Sequence, residues 1–163
     1  MNILLLKKNQ IIAYFPSQSF FSRLSAKIGG KYSHISVAYN HELEFTSRIL
    51  KGVSLYPINY HREFDIYELK EPSSFIGEFA WAWALSTNIF EKWYDYRGLI
   101  AWFFNIISFQ SAERYFCSEL IDKFFQEGGV DLLENIPHHL VSPFQITMSS
   151  KLQLVGKNIP QGF

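Results

Sequence analysis

The sequence predicts an α+β fold in which an antiparallel sheet or partial barrel packs against helices. Three observations predict it. The first seventy residues hold short β-rich segments separated by turn residues, and helical spacing dominates after Glu71-Pro72-Ser73-Ser74. Aromatic residues make up 18% of the 163 residues, enough for a large aromatic core.

Ile11 to Phe15 is β-rich and stops at Pro16-Ser17, which predicts a short strand and a turn. From Ser19 to Ile28, Phe20, Phe21, Leu24 and Ile28 recur at helical spacing. Ser17 or Ser19 can cap this helix, and Gly29-Gly30 can stop it. Lys31 to Tyr39 reads as a strand with His34, Ser36 and Ala38 on one face and Ile35, Val37 and Tyr39 on the other. Asn40-His41-Glu42 is a hairpin loop and Leu43 to Ser47 the returning strand. Gly52 to Ile58 and Phe64 to Leu69 add two more strands, with Pro57 confined to an edge or a strand end.

Ser73 or Ser74 can cap a helix reaching about Trp93, with Phe75, Phe79, Ala82, Trp83, Ser86 and Phe90 spaced as one buried stripe. Leu99 to Phe109 is apolar at nearly every position, yet far short of the ~20 residues that span a bilayer. It reads as a buried helix. A further helix starts near Cys117 and ends at Gly128-Gly129, and a last strand covers Lys151 to Val155. No linker, repeat or low-complexity tract divides the chain, so residues 1–163 are expected to form one domain.

Lys plus Arg equals Asp plus Glu at 15 each, which argues against nucleic acid as a partner; local patches leave a membrane surface open without predicting one. A single cysteine forbids an internal disulfide and leaves a Cys-rich zinc site without ligands. The N-terminus lacks the charge-then-apolar order of a secretory signal, so a cytoplasmic location is expected, with other routes of export left open.

Cys117 reads in two ways. At a helix start, backbone N–H groups and the helix dipole favour thiolate. It also lies in line with Leu120, Ile121 and Phe124, as a core thiol would. A nucleophile needs a base and usually a third group to orient it. His34 is the best placed of the five histidines, since Ser36 and Ala38 leave room beside it. His41, His61, His138 and His139 read as surface residues. The orienting group depends on hairpin parity. A three-residue loop pairs Tyr39 with Leu43 and Ala38 with Glu44, putting Glu44 and Thr46 on the face of His34. A two-residue loop turns both away.

Ser-His in a strand, an acidic residue in the next, Gly-Val, Tyr-Asp-Tyr and finally Phe-Cys-Ser-Glu-Leu-Ile resemble the circularly permuted papain-like proteins of the NlpC/P60 superfamily. The YiiX-like or YebB-like branch is the nearest in pattern, and lecithin:retinol acyltransferase-type enzymes are more distant. In that branch the histidine strand precedes the cysteine helix, as here, and the resemblance runs from about Ile11 to Pro143. It implies a permuted papain-like fold and a cysteine hydrolase with Cys117 as nucleophile, His34 as base and Glu44 as orienting group. Tyr94, Ser33 and Thr46 would line the substrate site, and no cofactor or metal is implied. The interval from His34 to Glu44 is shorter than in the family, which keeps Thr46 as an alternative third member.

The implied reaction is cleavage of an amide bond in a peptide or peptidoglycan-type substrate through an acyl-thioester. Two alternatives stand beside it. One is a lipid-directed acyltransferase or thioesterase, prompted by Leu99 to Phe109; the other is a non-catalytic binding module on the same fold.

Overall fold

The computed structural model of the chain describes residues 5–18, 22–23, 30–48, 51–86, 116–134, 136 and 141–160. Within them six strands form one antiparallel sheet: β1 (Ile11–Tyr14), β2 (His34–Ala38), β3 (Leu43–Arg48), β4 (Gly52–Pro57), β5 (Phe64–Leu69) and β6 (Leu152–Asn158). Their order is β4-β3-β2-β1-β5-β6. Three helices accompany it, α1 (Gly77–Ala84), α2 (Cys117–Glu127) and α3 (Pro143–Thr147), with a 3₁₀ turn at Pro72–Ser74. Pro57 ends β4, an edge strand, where its missing N–H costs no ladder bond.

The β2–β3 hairpin has the three-residue loop. Tyr39 N donates to Leu43 O, and the Asn40 side-chain oxygen accepts from the N–H groups of Glu42 and Leu43. Ala38 pairs with Glu44 and Val37 with Phe45. That register fixes two unlike faces, because strand side chains alternate.

On one face Ile11, Ile35, Val37, Phe45 and Val53 pack against Leu120, Ile121, Phe124 and Phe125 of α2 and against Trp81 of α1. Burying each such side chain contributes about 1.5–3 kcal/mol before chain entropy is charged. Trp81 and Phe124 meet edge to face with centroids 4.7 Å apart, and Phe45 lies 6.0 Å from Phe124. The other face has a smaller apolar cluster around Ile12, Tyr14, Ala38, Phe64 and Ile66. It also carries the polar group described below.

Helix α2 ends as its two glycines predict. Gly128 is the C-cap, and Gly129 takes φ +85°, a left-handed conformation that glycine adopts without a Cβ penalty. Gly128 has a second reason to be glycine: a Cβ there would clash with the Phe75 ring.

The helix expected from Ser73 or Ser74 to Trp93 differs. Pro72–Ser74 closes a 3₁₀ turn, Phe75 is extended, and α1 starts only at Gly77. The later start changes which face is buried. Ala80, Trp81 and Ala84 are inside, whereas Phe79 is 64% exposed and Ala82 also faces outward. Phe75 still joins the core, packing as part of the incoming turn against Phe124 and Phe125. Phe90, the stretch to Trp93, the apolar run 99–109, and most of the helix expected over 19–28 lie outside the described residues. Among the described residues no helix is long and apolar enough to cross a membrane.

Candidate active site

Cys117 is the first residue of α2 and is 7% exposed. The residue before it, Phe116, is the N-cap, and its side chain makes no cap hydrogen bond. In contrast, α3 opens with a complete capping box, in which Ser142 and Gln145 satisfy one another's backbone N–H groups. The two helix starts are tied together, since Ser118 Oγ donates to Val141 O beside that cap.

The helix lies over Ile35 and Val37, on the side of the sheet opposite His34. The thiol nevertheless reaches the opening of β2, where the backbone N–H of Ile35 is directed at it, one residue beyond His34. Burial pushes the Cys117 thiol up to about 11. The N–H groups of Ile35, Ser118 and Cys117 itself pull in the other direction, and the Glu44 carboxylate adds a smaller upward push. The helix start therefore acts as expected on the thiolate, but burial outweighs it and the resting group is a thiol.

His34 is half-buried at the beginning of β2. Its ring packs on Tyr14 with centroids 5.8 Å apart. Burial, followed by the positive charges of Arg62 and Arg48, pushes the imidazole down to about 3, so it too rests neutral. Its Nε2 lies 3.2 Å from Thr46 Oγ1. That hydroxyl has one proton, and it is donated to Ile35 O at 2.8 Å. Nε2 must then be the donor to Thr46, which assigns the proton to Nε2 and leaves the Nδ1 lone pair free to accept.

Glu44, named on the sequence as the group that orients His34, makes different bonds. The carboxylate is fully buried. Its Oε2 accepts from Tyr14 Oη at 2.6 Å and Ser36 Oγ at 2.7 Å, and its Oε1 accepts from Arg48 Nη2 at 2.7 Å. The contact with His34 belongs to Thr46. Parity put both residues on the histidine's face, and it is the Thr46 hydroxyl that reaches diagonally across the strands to the imidazole; Glu44 acts on the ring through Tyr14. Burial is the main reason that the Tyr14 hydroxyl is held well above its usual range, so it stays a donor to Glu44.

Ser33, expected to line the substrate site, is engaged by the protein. Its Oγ donates to Phe15 O and accepts from Ser22 Oγ and Arg62 Nη2. Tyr94, His138 and His139 lie outside the described residues, and His41 and His61 are exposed. Three residues of this cluster escaped sequence reasoning: Tyr14, Arg48 and Arg62. A signal existed for Arg48, because Glu44, Thr46 and Arg48 alternate along one strand and a buried carboxylate needs a cation. Nothing local marked Tyr14, which meets Glu44 only through the pairing of β1 with β2.

The thiol's protonation is directly measurable. Iodoacetamide should alkylate Cys117 at a rate rising about tenfold per pH unit from pH 7 to 10. The midpoint should lie near 11 rather than at the value of an unperturbed thiol. A plateau reached by pH 9 would contradict the dominance of burial.

No family model matches the chain, and no curated protein matches it. Among solved structures the fold is similar to the crystal structure of metalloprotein yiiX from Escherichia coli O157:H7, DUF1105, with a TM-score of 0.66 and 18% sequence identity. The match covers 94% of this chain and 98% of that chain, so the likeness is one of fold over nearly the whole length of both.

Proposed function

We propose that the chain is a cysteine hydrolase with a permuted papain-like arrangement, cleaving an amide bond in a peptide or peptidoglycan-type substrate. The observation that carries this reading is the state of the two groups: the thiol at a helix start beside β2, and on β2 a neutral histidine whose Nε2 proton is engaged by Thr46.

In the proposed reaction Nδ1 of His34 takes the Sγ proton as sulfur bonds to the carbonyl carbon. This requires the thiol, held at Ile35, to come within hydrogen-bond range of the neighbouring imidazole when substrate is in place. The carbonyl oxygen becomes an oxyanion that accepts from the N–H groups of Cys117 and Ser118. Collapse breaks the C–N bond, the amine leaves with the proton carried by His34, and an acyl-thioester remains on Cys117. Water, deprotonated by the same nitrogen, releases the acid. Thr46 keeps Nδ1 basic, and Tyr14 with Glu44 supports the ring.

The structural neighbour is described as a metalloprotein. Among the described residues no group of three or more His, Cys, Asp or Glu side chains is placed to hold a metal ion. The described residues therefore do not fit one, and no step is routed through it. The lipid-directed alternative rests on Leu99 to Phe109, outside the described residues.

Intact-mass spectrometry of the protein quenched in acid with activated peptide esters tests the proposal. One acyl adduct should form, map to Cys117 and decay in water. Absence of an adduct across peptide donors, with Cys117 otherwise alkylatable, would overturn the peptide hydrolase reading.

A further inference from the structure

The turn between β4 and β5 places Arg62 at the same end of the sheet as His34. The side chain is half-buried. Its Nη2 donates to Phe15 O and Ser33 Oγ, and the guanidinium carbon lies 5.0 Å from the centre of the Tyr14 ring, the ring that packs on His34. Its backbone is pinned as well, with N donating to Asn59 O and the carbonyl accepting from Asn158 Nδ2. The arginine is thus built into place.

Among the described residues it has no bonded anion. Both of its acceptors are neutral, and among the described residues no carboxylate pairs with it. Glu44 is near enough to act on it through space but is bonded to Arg48. This guanidinium has Nε and both protons of Nη1 without a protein acceptor among the described residues. A carboxylate is the group whose geometry matches that fork.

We infer that Arg62 receives a free carboxylate of the substrate, so that the site selects peptides carrying such a group on the side of the scissile amide that faces His34 and Tyr14. This deepens the hydrolase reading and rests on it for the word substrate. The groups facing His34 are Arg62, Arg48, the Tyr14 phenol, Thr46 and, beyond Tyr14, Glu44. Glu44 already offsets Arg48. An anion on Arg62 would offset the other cation, so the base would gain proton affinity only when substrate is bound.

Binding can be read without turnover. N-acetylalanine and its neutral analogue N-acetylalaninamide would be titrated into the full chain while the Arg62 Nε–H and His34 ring resonances are followed. The acid should bind about tenfold or more tightly than the amide, Arg62→Gln should abolish the difference, and Arg62→Lys should keep part of it. Equal affinities in the wild type, or a preference that survives Arg62→Gln in a variant with unchanged circular dichroism, would overturn the inference. A carboxylate preference together with full peptide hydrolysis by Cys117→Ala would retain the anion site and sink the catalytic reading instead.

Discussion

Replacing Cys117 by alanine is expected to lower kcat/KM for a peptide substrate by about 10⁴-fold or more, and His34→Ala should approach the same loss at neutral pH. The two variants differ in how they respond to pH. A thiol held at about 11 is ionised in only about one molecule in 10⁴ at pH 7, so an enzyme without its base depends on that small fraction. The residual activity of His34→Ala should climb about tenfold per pH unit as far as the protein stays folded, whereas Cys117→Ala has no thiolate to recover. Thr46→Val preserves side-chain shape and removes the acceptor that fixes the Nε2 proton. It should cost roughly tenfold in kcat with little change in KM, because the imidazole must then select its tautomer unaided. Steady-state rates from pH 6 to 10 for the three variants decide the matter. Equal, pH-independent rates in His34→Ala and wild type would remove His34 from the mechanism.

Most of the scaffold that holds these residues was legible in the sequence, because its signals are local. Alternation in β2 and β3, the polar loop at Asn40-His41-Glu42 and the paired glycines after α2 each specify their element without distant help. The hairpin parity argument even located Thr46 and Glu44 on the right face. It could not choose between them, since that choice depends on the reach of a carboxylate toward Tyr14 from another strand. Position within the first turn of α2 correctly indicated N–H groups around the thiol. It gave no measure of how deeply the start of α2 is buried against Ile35 and Val37, and that depth sets the thiol's proton affinity. The phase of α1 was lost for a related reason. Phe75 fills the space over Gly128 as an extended residue, a tertiary fit that helical periodicity cannot express.

The second large effect expected is on stability. Arg48→Ala should destabilise the fold by about 3 kcal/mol, the lower end for breaking a buried ion pair, because Arg48 itself is 30% exposed and water can partly replace it. Glu44 has no such recourse at 0% exposure: its Oε1 would lose its charged donor while Oε2 stayed bound to Tyr14 and Ser36. The cost therefore arises from the carboxylate left behind, not from the attraction removed. It follows that Glu44→Gln on the Arg48→Ala background should recover part of the loss, since a neutral amide is cheaper to bury and can still accept from Tyr14. Urea unfolding of the two single variants and the double measures this directly, and a double variant less stable than Arg48→Ala would refute it. Acid should act on the same cluster through His34. Its imidazole is held down to about 3 when folded, against about 6.5 when unfolded, so the unfolded chain binds the proton first. The contribution is intact above pH 6.5 and is lost as pH falls from there toward 3. Arg48→Ala removes one of the charges that hold the imidazole down, so part of this acid sensitivity should disappear with it. Over that window the stability gap between wild type and Arg48→Ala should narrow.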